Sequence, residues 1–155
     1  MSGKLNRREF LKNAGAAGAG FWIAGRQSAF AQEKSANAKL NVACIGVAGR
    51  GLASVKGCKD ENIVALCEIE DGRFKDAAEI APRAKRYTDY RKMFEDQKEL
   101  KLDAVTIATP DHHHATAATR ALNLGLHCYV EKPLTLTIHE ARTLTRMAAE
   151  KKVVT

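Results

Sequence analysis

From residue 40 onward, short apolar runs alternate with stretches in which apolar residues recur every three or four positions. The runs 40–45 (LNVACI), 63–67 (IVALC), 104–107 (AVTI) and 127–130 (HCYV) read as buried strands, each short and closed by polar or turn residues. Arg86-Tyr87 reads as a further short strand and Val153-Val154 as the start of another. Between them the pattern predicts helices over 52–58, 73–81, 90–98, 112–124 and from 137 to Lys151. Pro82 stops the second of these, because proline lacks the N–H and clashes with the preceding turn. Asp111 stands where it can cap the fourth, whose Ala115, Ala118 and Leu122 form an apolar stripe and which Gly125 follows. Thr137-x-x-Glu140 is a capping box for the last. Strands alternating with helices in this way predict an α/β fold, a doubly wound parallel sheet with helices on both faces.

The first strand runs into Gly46-Val47-Ala48-Gly49-Arg50-Gly51. A strand, a glycine-rich turn and a helix start are the parts of a dinucleotide phosphate site, in which backbone N–H groups and the helix dipole meet the pyrophosphate. The spacing departs from G-x-G-x-x-G: Gly46 and Gly51 hold the outer places, Ala48 takes the middle one, and Gly49 is the candidate to supply the missing freedom. The glycines alone equally suit a tight turn that binds nothing. Glu68 changes the balance. It ends the second apolar run, where a carboxylate can accept both ribose hydroxyls of the adenosine half and repel a 2′-phosphate, which favours NAD over NADP. A solvated strand-end acid is the plainer alternative.

Two further motifs fall at strand ends, where ligands of such sheets bind. Ala108-Thr109-Pro110-Asp111-His112-His113-His114 follows the strand at 104–107, and Glu131-Lys132-Pro133-Leu134 the strand at 127–130. Lys132 can exchange a proton with a substrate hydroxyl if partial burial lowers its affinity for protons; otherwise it is a surface lysine. Three adjacent histidines suggest a metal, but neighbours at a helix start point in different directions, so one of them is expected in the cleft and no metal site is assigned.

Composition alters this picture at the N-terminus. The 155 residues carry a net charge of +7, of which residues 1–31 hold +4, leaving +3 with both signs interspersed. No basic stripe is interleaved with aromatics, so a nucleic-acid partner is not expected. Residues 6–12 (NRREFLK) form a twin-arginine pattern, followed by a mildly apolar run over 14–25 and a small-x-small cleavage site, Ala29-Phe30-Ala31. Residues 1–31 therefore read as an export signal recognised by the twin-arginine (Tat) machinery, 32–39 as a polar linker and 40–155 as the folded domain, with a periplasmic or otherwise exported location. That route carries folded proteins, which suits a domain that loads its cofactor before export. Cys44, Cys58, Cys67 and Cys128 show no C-x-x-C spacing and read as structural free thiols.

The segments IGVAGRG (45–51), ATPDHHHA (108–115) and EKPL (131–134), in this order, make residues 40–155 resemble the N-terminal NAD(P)-binding domain of the Gfo/Idh/MocA oxidoreductases, a Rossmann-type fold. The twin-arginine start is similar to that of exported members. The resemblance implies that Gly46, Ala48, Gly49, Arg50, Gly51 and Glu68 hold the dinucleotide. It implies that Thr109, Pro110 and His112 or His114 line its nicotinamide-ribose side, that Lys132 is the catalytic group, and that Glu131 supports cofactor or lysine. The implied activity is reversible oxidation of a sugar or cyclitol hydroxyl. Family members continue into a second α/β domain with substrate-binding residues and can form homo-oligomers, so this chain reads as a truncated, single-domain piece without turnover of its own. The competing readings are an inactive nucleotide-binding or interaction module and, with E-K-P intact a weaker fit, an NAD-dependent glycosidase.

Overall fold

The computed structural model describes residues 38–155; the expected export signal and residues 32–37 of the linker lie outside the described residues. Five strands form one sheet: β1 (Asn41–Ile45), β2 (Asn62–Cys67), β3 (Lys85–Tyr87), β4 (Ala104–Ile107) and β5 (His127–Val130), in the order β3-β2-β1-β4-β5. All four pairings are parallel. Five helices connect and flank them: α1 (Arg50–Gly57), α2 (Lys75–Ile80), α3 (Tyr90–Glu95), α4 (Asp111–Asn123) and α5 (Ile138–Lys151). A single 3-10 turn, Asp71–Phe74, precedes α2. Among the described residues no helix is long and apolar enough to cross a membrane.

The period of two along β1 sorts its side chains to opposite faces. Ala43 and Ile45 join one buried cluster with Met93 and Phe94 of α3, Ala118 and Leu122 of α4 and Leu144 of α5. Val42 and Cys44 join the other with Val55 of α1 and Ala77 of α2. Helices thus cover both faces, as a parallel sheet buried on both sides requires.

Most expected elements form, with informative shifts at their ends. The helix expected over 73–81 becomes the 3-10 turn and α2, which ends at Ile80 because Ala81, preceding Pro82, leaves the helical region at φ −125° and ψ 67°. The helix expected to reach residue 98 ends at Glu95. The expected cap at Asp111 is corrected: Asp111 is the first residue of α4, and Pro110 occupies the cap position without a side-chain bond. A carboxylate one place inside the helix still faces the positive end of its dipole. Asp89, not singled out by the pattern, caps α3 by accepting the Arg91 N–H at 2.9 Å. Thr137 and Glu140 form the expected capping box on α5. Gly125 follows α4 at φ +74°, the left-handed turn that glycine adopts without penalty. Val153-Val154 is not a regular strand; Val154 is linked to β5 by two bonds, its carbonyl accepting from the Cys128 N–H at 3.0 Å and its N–H donating to His127 Nδ1 at 3.0 Å.

Candidate functional site

Because every strand is parallel, all five carboxyl ends share one edge. The chain order reverses direction between β1 and β4, whose following segments lead away on opposite faces, and this opens a crevice at their tips. The glycine turn sits there. Gly46 takes φ +76°, and its N–H donates to the Cys67 carbonyl at 2.8 Å, tying the tip of β1 to that of β2. A Cβ on Gly46 would stand 2.5 Å from the Ala108 carbonyl oxygen, and one on Gly51 only 1.9 Å from the Gly46 carbonyl oxygen. The turn is therefore packed to the backbone, against β4 on one side and the start of α1 on the other. Gly49, at φ +53°, has open space around it and serves conformation rather than packing.

Glu68 stands at the tip of β2 and is held in place by two backbone donors, Val47 N–H to Oε2 at 3.3 Å and Ile69 N–H to Oε1 at 2.9 Å. Each oxygen keeps a lone pair for a further donor. The cleft between these elements has a volume of about 610 Å³, within the range of small-molecule sites. Its wall includes Gly46, Ala48, Gly49, Arg50, Glu68, Thr109, Pro110 and His112 from the expected set. The Thr109 hydroxyl is buried there without a hydrogen-bond partner.

Other expected residues stand elsewhere. Gly51 is buried beneath the turn. Two histidines, His112 and His113, line the cleft instead of one, their rings 4.6 Å apart. His114, a candidate for the same wall, lies instead in the interior, 2% exposed. Its Nδ1 is 2.7 Å from the Pro133 carbonyl and its Nε2 2.7 Å from the Thr109 carbonyl. A carbonyl only accepts, so the ring donates through whichever nitrogen carries hydrogen. It braces the segment after β4 against the segment after β5. The step of about 100° per helical residue turns 112 and 113 outward and 114 inward.

Glu131, expected beside cofactor or lysine, is 6% exposed, and its Oε1 pairs with the Arg50 Nε at 2.9 Å. A buried carboxylate needs such a partner, and Arg50, at the start of α1, reaches across to β5 to supply it. Lys132 is exposed on the same edge of the sheet but is not part of the cleft wall, since β5 lies one strand beyond the crevice. The peptide joining it to Pro133 is cis.

The wall also contains residues that the motifs did not indicate: Ile69, Glu70, Arg73, Thr88 and Tyr90. Thr88 and Tyr90 follow β3, and applying the strand-end rule to that three-residue strand finds them. Arg73 is drawn to the site by its ion pair with Glu70 at 2.8 Å. Among the described residues no group of three or more histidine, cysteine, aspartate or glutamate side chains could hold a metal.

The Gfo/Idh/MocA oxidoreductase family, described by its NAD-binding Rossmann fold, matches residues 40–155. The chain belongs to this family. A glycosyl hydrolase family 109 protein from Shewanella pealeana is 31% identical over 88% of this chain and 35% of its own length. The UDP-N-acetylglucosamine 3-dehydrogenase of Acidithiobacillus ferrooxidans is 34% identical over 66% of this chain and 28% of its own. The chain thus spans about a third of the length of these curated relatives. The WlbA dehydrogenase of Thermus thermophilus, solved with NAD and α-ketoglutarate, shares the fold with a TM-score of 0.67 at 24% identity, over 74% of this chain and 39% of that one. Gly46, Glu68 and Thr109 fit the family's dinucleotide: a turn with no room for a side chain, an anchored carboxylate and an unpartnered hydroxyl share one cleft.

Proposed function

We propose that this chain is the dinucleotide-binding part of an exported, NAD-dependent oxidoreductase that acts on a sugar or cyclitol hydroxyl. The observation that carries the reading is the anchored Glu68 carboxylate facing the same cleft as the glycine turn. Bound NAD would supply the hydride acceptor. The turn at 46–51 presents backbone N–H groups and the start of α1 to the pyrophosphate. Glu68 accepts the ribose hydroxyls, and its charge disfavours a 2′-phosphate, which selects NAD over NADP. Thr109, Pro110 and His112 border the nicotinamide side, and Lys132, from the neighbouring strand tip, takes the proton from the substrate hydroxyl. The twin-arginine pattern of residues 6–12 supports export through the Tat machinery to the periplasm, with the domain folded and loaded beforehand.

Titration calorimetry of the purified chain tests the reading. Saturable NAD binding is expected, with NADP weaker. Glu68→Ala removes hydrogen bonds to a charged acceptor worth about 1.5–3 kcal/mol, so NAD affinity falls about tenfold to a hundredfold and the preference over NADP shrinks. Absence of saturation at millimolar NAD would overturn it in favour of an inactive interaction module. A second reading, an NAD-dependent glycosidase, is favoured by the Shewanella pealeana relative, which aligns with more of this chain than the dehydrogenase does. Release of a chromogenic aglycone from glycosides without net NADH formation would decide for it; NADH formation with free sugars would decide against it.

A further inference from the structure

A second cavity, of about 380 Å³, lies beside α1, with Arg50, Cys58, Thr106, Tyr129 and Glu131 in its wall. Its floor follows from the sheet register. Cys44 of β1 is opposite Thr106 of β4, and Thr106 opposite Tyr129 of β5, so the three side chains form one row on the face that α1 covers. Cys58, which ends α1, packs onto this row beside Cys44. The two thiols are near enough to interact electrostatically. Cys44 is fully buried, whereas Cys58 is half-buried and belongs to the cavity wall, so Cys58 is reachable from the cavity and Cys44 is not. The Thr106 hydroxyl, 6% exposed, is buried in the same wall; it interacts with the Cys44 thiol and has no other hydrogen-bond partner.

We propose that this cavity is a hydroperoxide-reactive site, in which Cys58 is the attacking thiol, Cys44 the resolving thiol and the Thr106 hydroxyl a hydrogen-bond partner for the peroxide oxygen. The Cys58 thiolate attacks one peroxide oxygen, forming an S–O bond as the O–O bond breaks; the departing oxygen takes a proton and leaves as water or an alcohol. The product is Cys58 sulfenic acid. Cys44 sulfur then attacks the Cys58 sulfur, the S–O bond breaks, and hydroxide leaves as water with the Cys44 proton. The thiol pair loses two electrons, and the peroxide gains them.

The electrostatics assign the two roles in this order. The interaction with Cys44 lowers the Cys58 thiol to about 7, against burial and the Glu61 charge, which raise it. The same interaction, with burial next, raises Cys44, so the inner sulfur keeps its proton until it is needed. Across the cavity Arg50 and Glu131 are paired with each other and leave little net charge at the rim. Burial raises Cys67 to about 12 and Cys128 to about 11, which makes them internal controls.

The test treats the full reduced chain with hydrogen peroxide and follows each cysteine by peptide mapping under non-reducing conditions. Cys58 is expected to react more than about tenfold faster than Cys67 and Cys128, and the product to be a disulfide between the Cys44 and Cys58 peptides. Cys44→Ser should leave a sulfenic acid on Cys58 that a cyclic 1,3-diketone traps, and Thr106→Val should slow the first step while the fold is kept. Equal oxidation of all four cysteines, a first modification at Cys67 or Cys128, or a Cys58 no faster than free cysteine would each overturn the proposal. Mapping of the unaltered chain decides the matter even if a variant fails to fold. The site makes no use of the dinucleotide, so its failure leaves the proposed function untouched, and the reverse holds too.

Discussion

Replacing Gly51 by alanine tests the packing of the glycine turn directly. The new Cβ would lie 1.9 Å from the Gly46 carbonyl oxygen, 2.7 Å from its carbon and 3.3 Å from the Ala108 Cβ. The carbonyl cannot swing aside freely, because the Gly46 N–H is bonded to Cys67 at 2.8 Å and Gly46 already sits at φ +76° against Ala108. Relief must come from the start of α1 moving off β1, and such overpacking costs about 1–3 kcal/mol. Two neighbours calibrate the result. A Cβ on Gly49 meets nothing within 4 Å, so Gly49→Ala carries only the left-handed backbone penalty of about 1–2 kcal/mol. Gly57 has open space and no positive φ, so Gly57→Ala is expected to stabilise by about 0.4–1 kcal/mol. Thermal unfolding reads these differences at about 4 °C per kcal/mol for a domain of this size. On the proposed function, Gly51→Ala should also weaken NAD more than Gly49→Ala does, because it displaces the helix start proposed to meet the pyrophosphate. Melting of Gly51→Ala at or above the temperature of the unaltered chain would refute the packing argument.

His114→Ala removes the brace between the segments after β4 and β5, vacates a buried ring volume and takes the donor from whichever of the Thr109 and Pro133 carbonyls accepts the ring N–H. A loss of about 2–4 kcal/mol is expected in denaturant unfolding, and an unchanged midpoint would deny the brace. Asp89 gives a pH signature: its hydrogen bonds to the Arg91 side chain and backbone lower its carboxyl from 3.8 to about 2. A lowered folded value means a contribution fully present above the unfolded value and lost as pH falls through the folded one. The melting-temperature gap between the unaltered chain and Asp89→Asn should therefore be constant near neutrality and close between pH 3.8 and about 2; a gap independent of pH across that window would contradict it.

Local sequence determined the elements and the edge on which they act. Apolar period, the Thr137 capping box and Gly125 are short-range signals, because they depend on neighbours within one turn of backbone. Alternation of strand and helix then determined a parallel sheet, and parallel strands put every motif on one carboxyl edge. That is why Gly46, Glu68 and Thr109 could be placed on one edge from residue order, while the family resemblance was needed to give them one ligand.

What lay beyond the sequence is the distance across that edge and the facing of each side chain. His114 and His112 belong to one motif, yet a rotation of two helical residues sends one into the interior and the other to the cleft wall. Glu131 and Arg50 come from motifs 81 positions apart, and their pairing depends on α1 lying beside β5. Cys44 and Cys58 meet because strand register and helix length bring the end of α1 back over β1. Such contacts are set by how elements pack, and packing sums many weak, long-range terms that no single stretch of residues encodes.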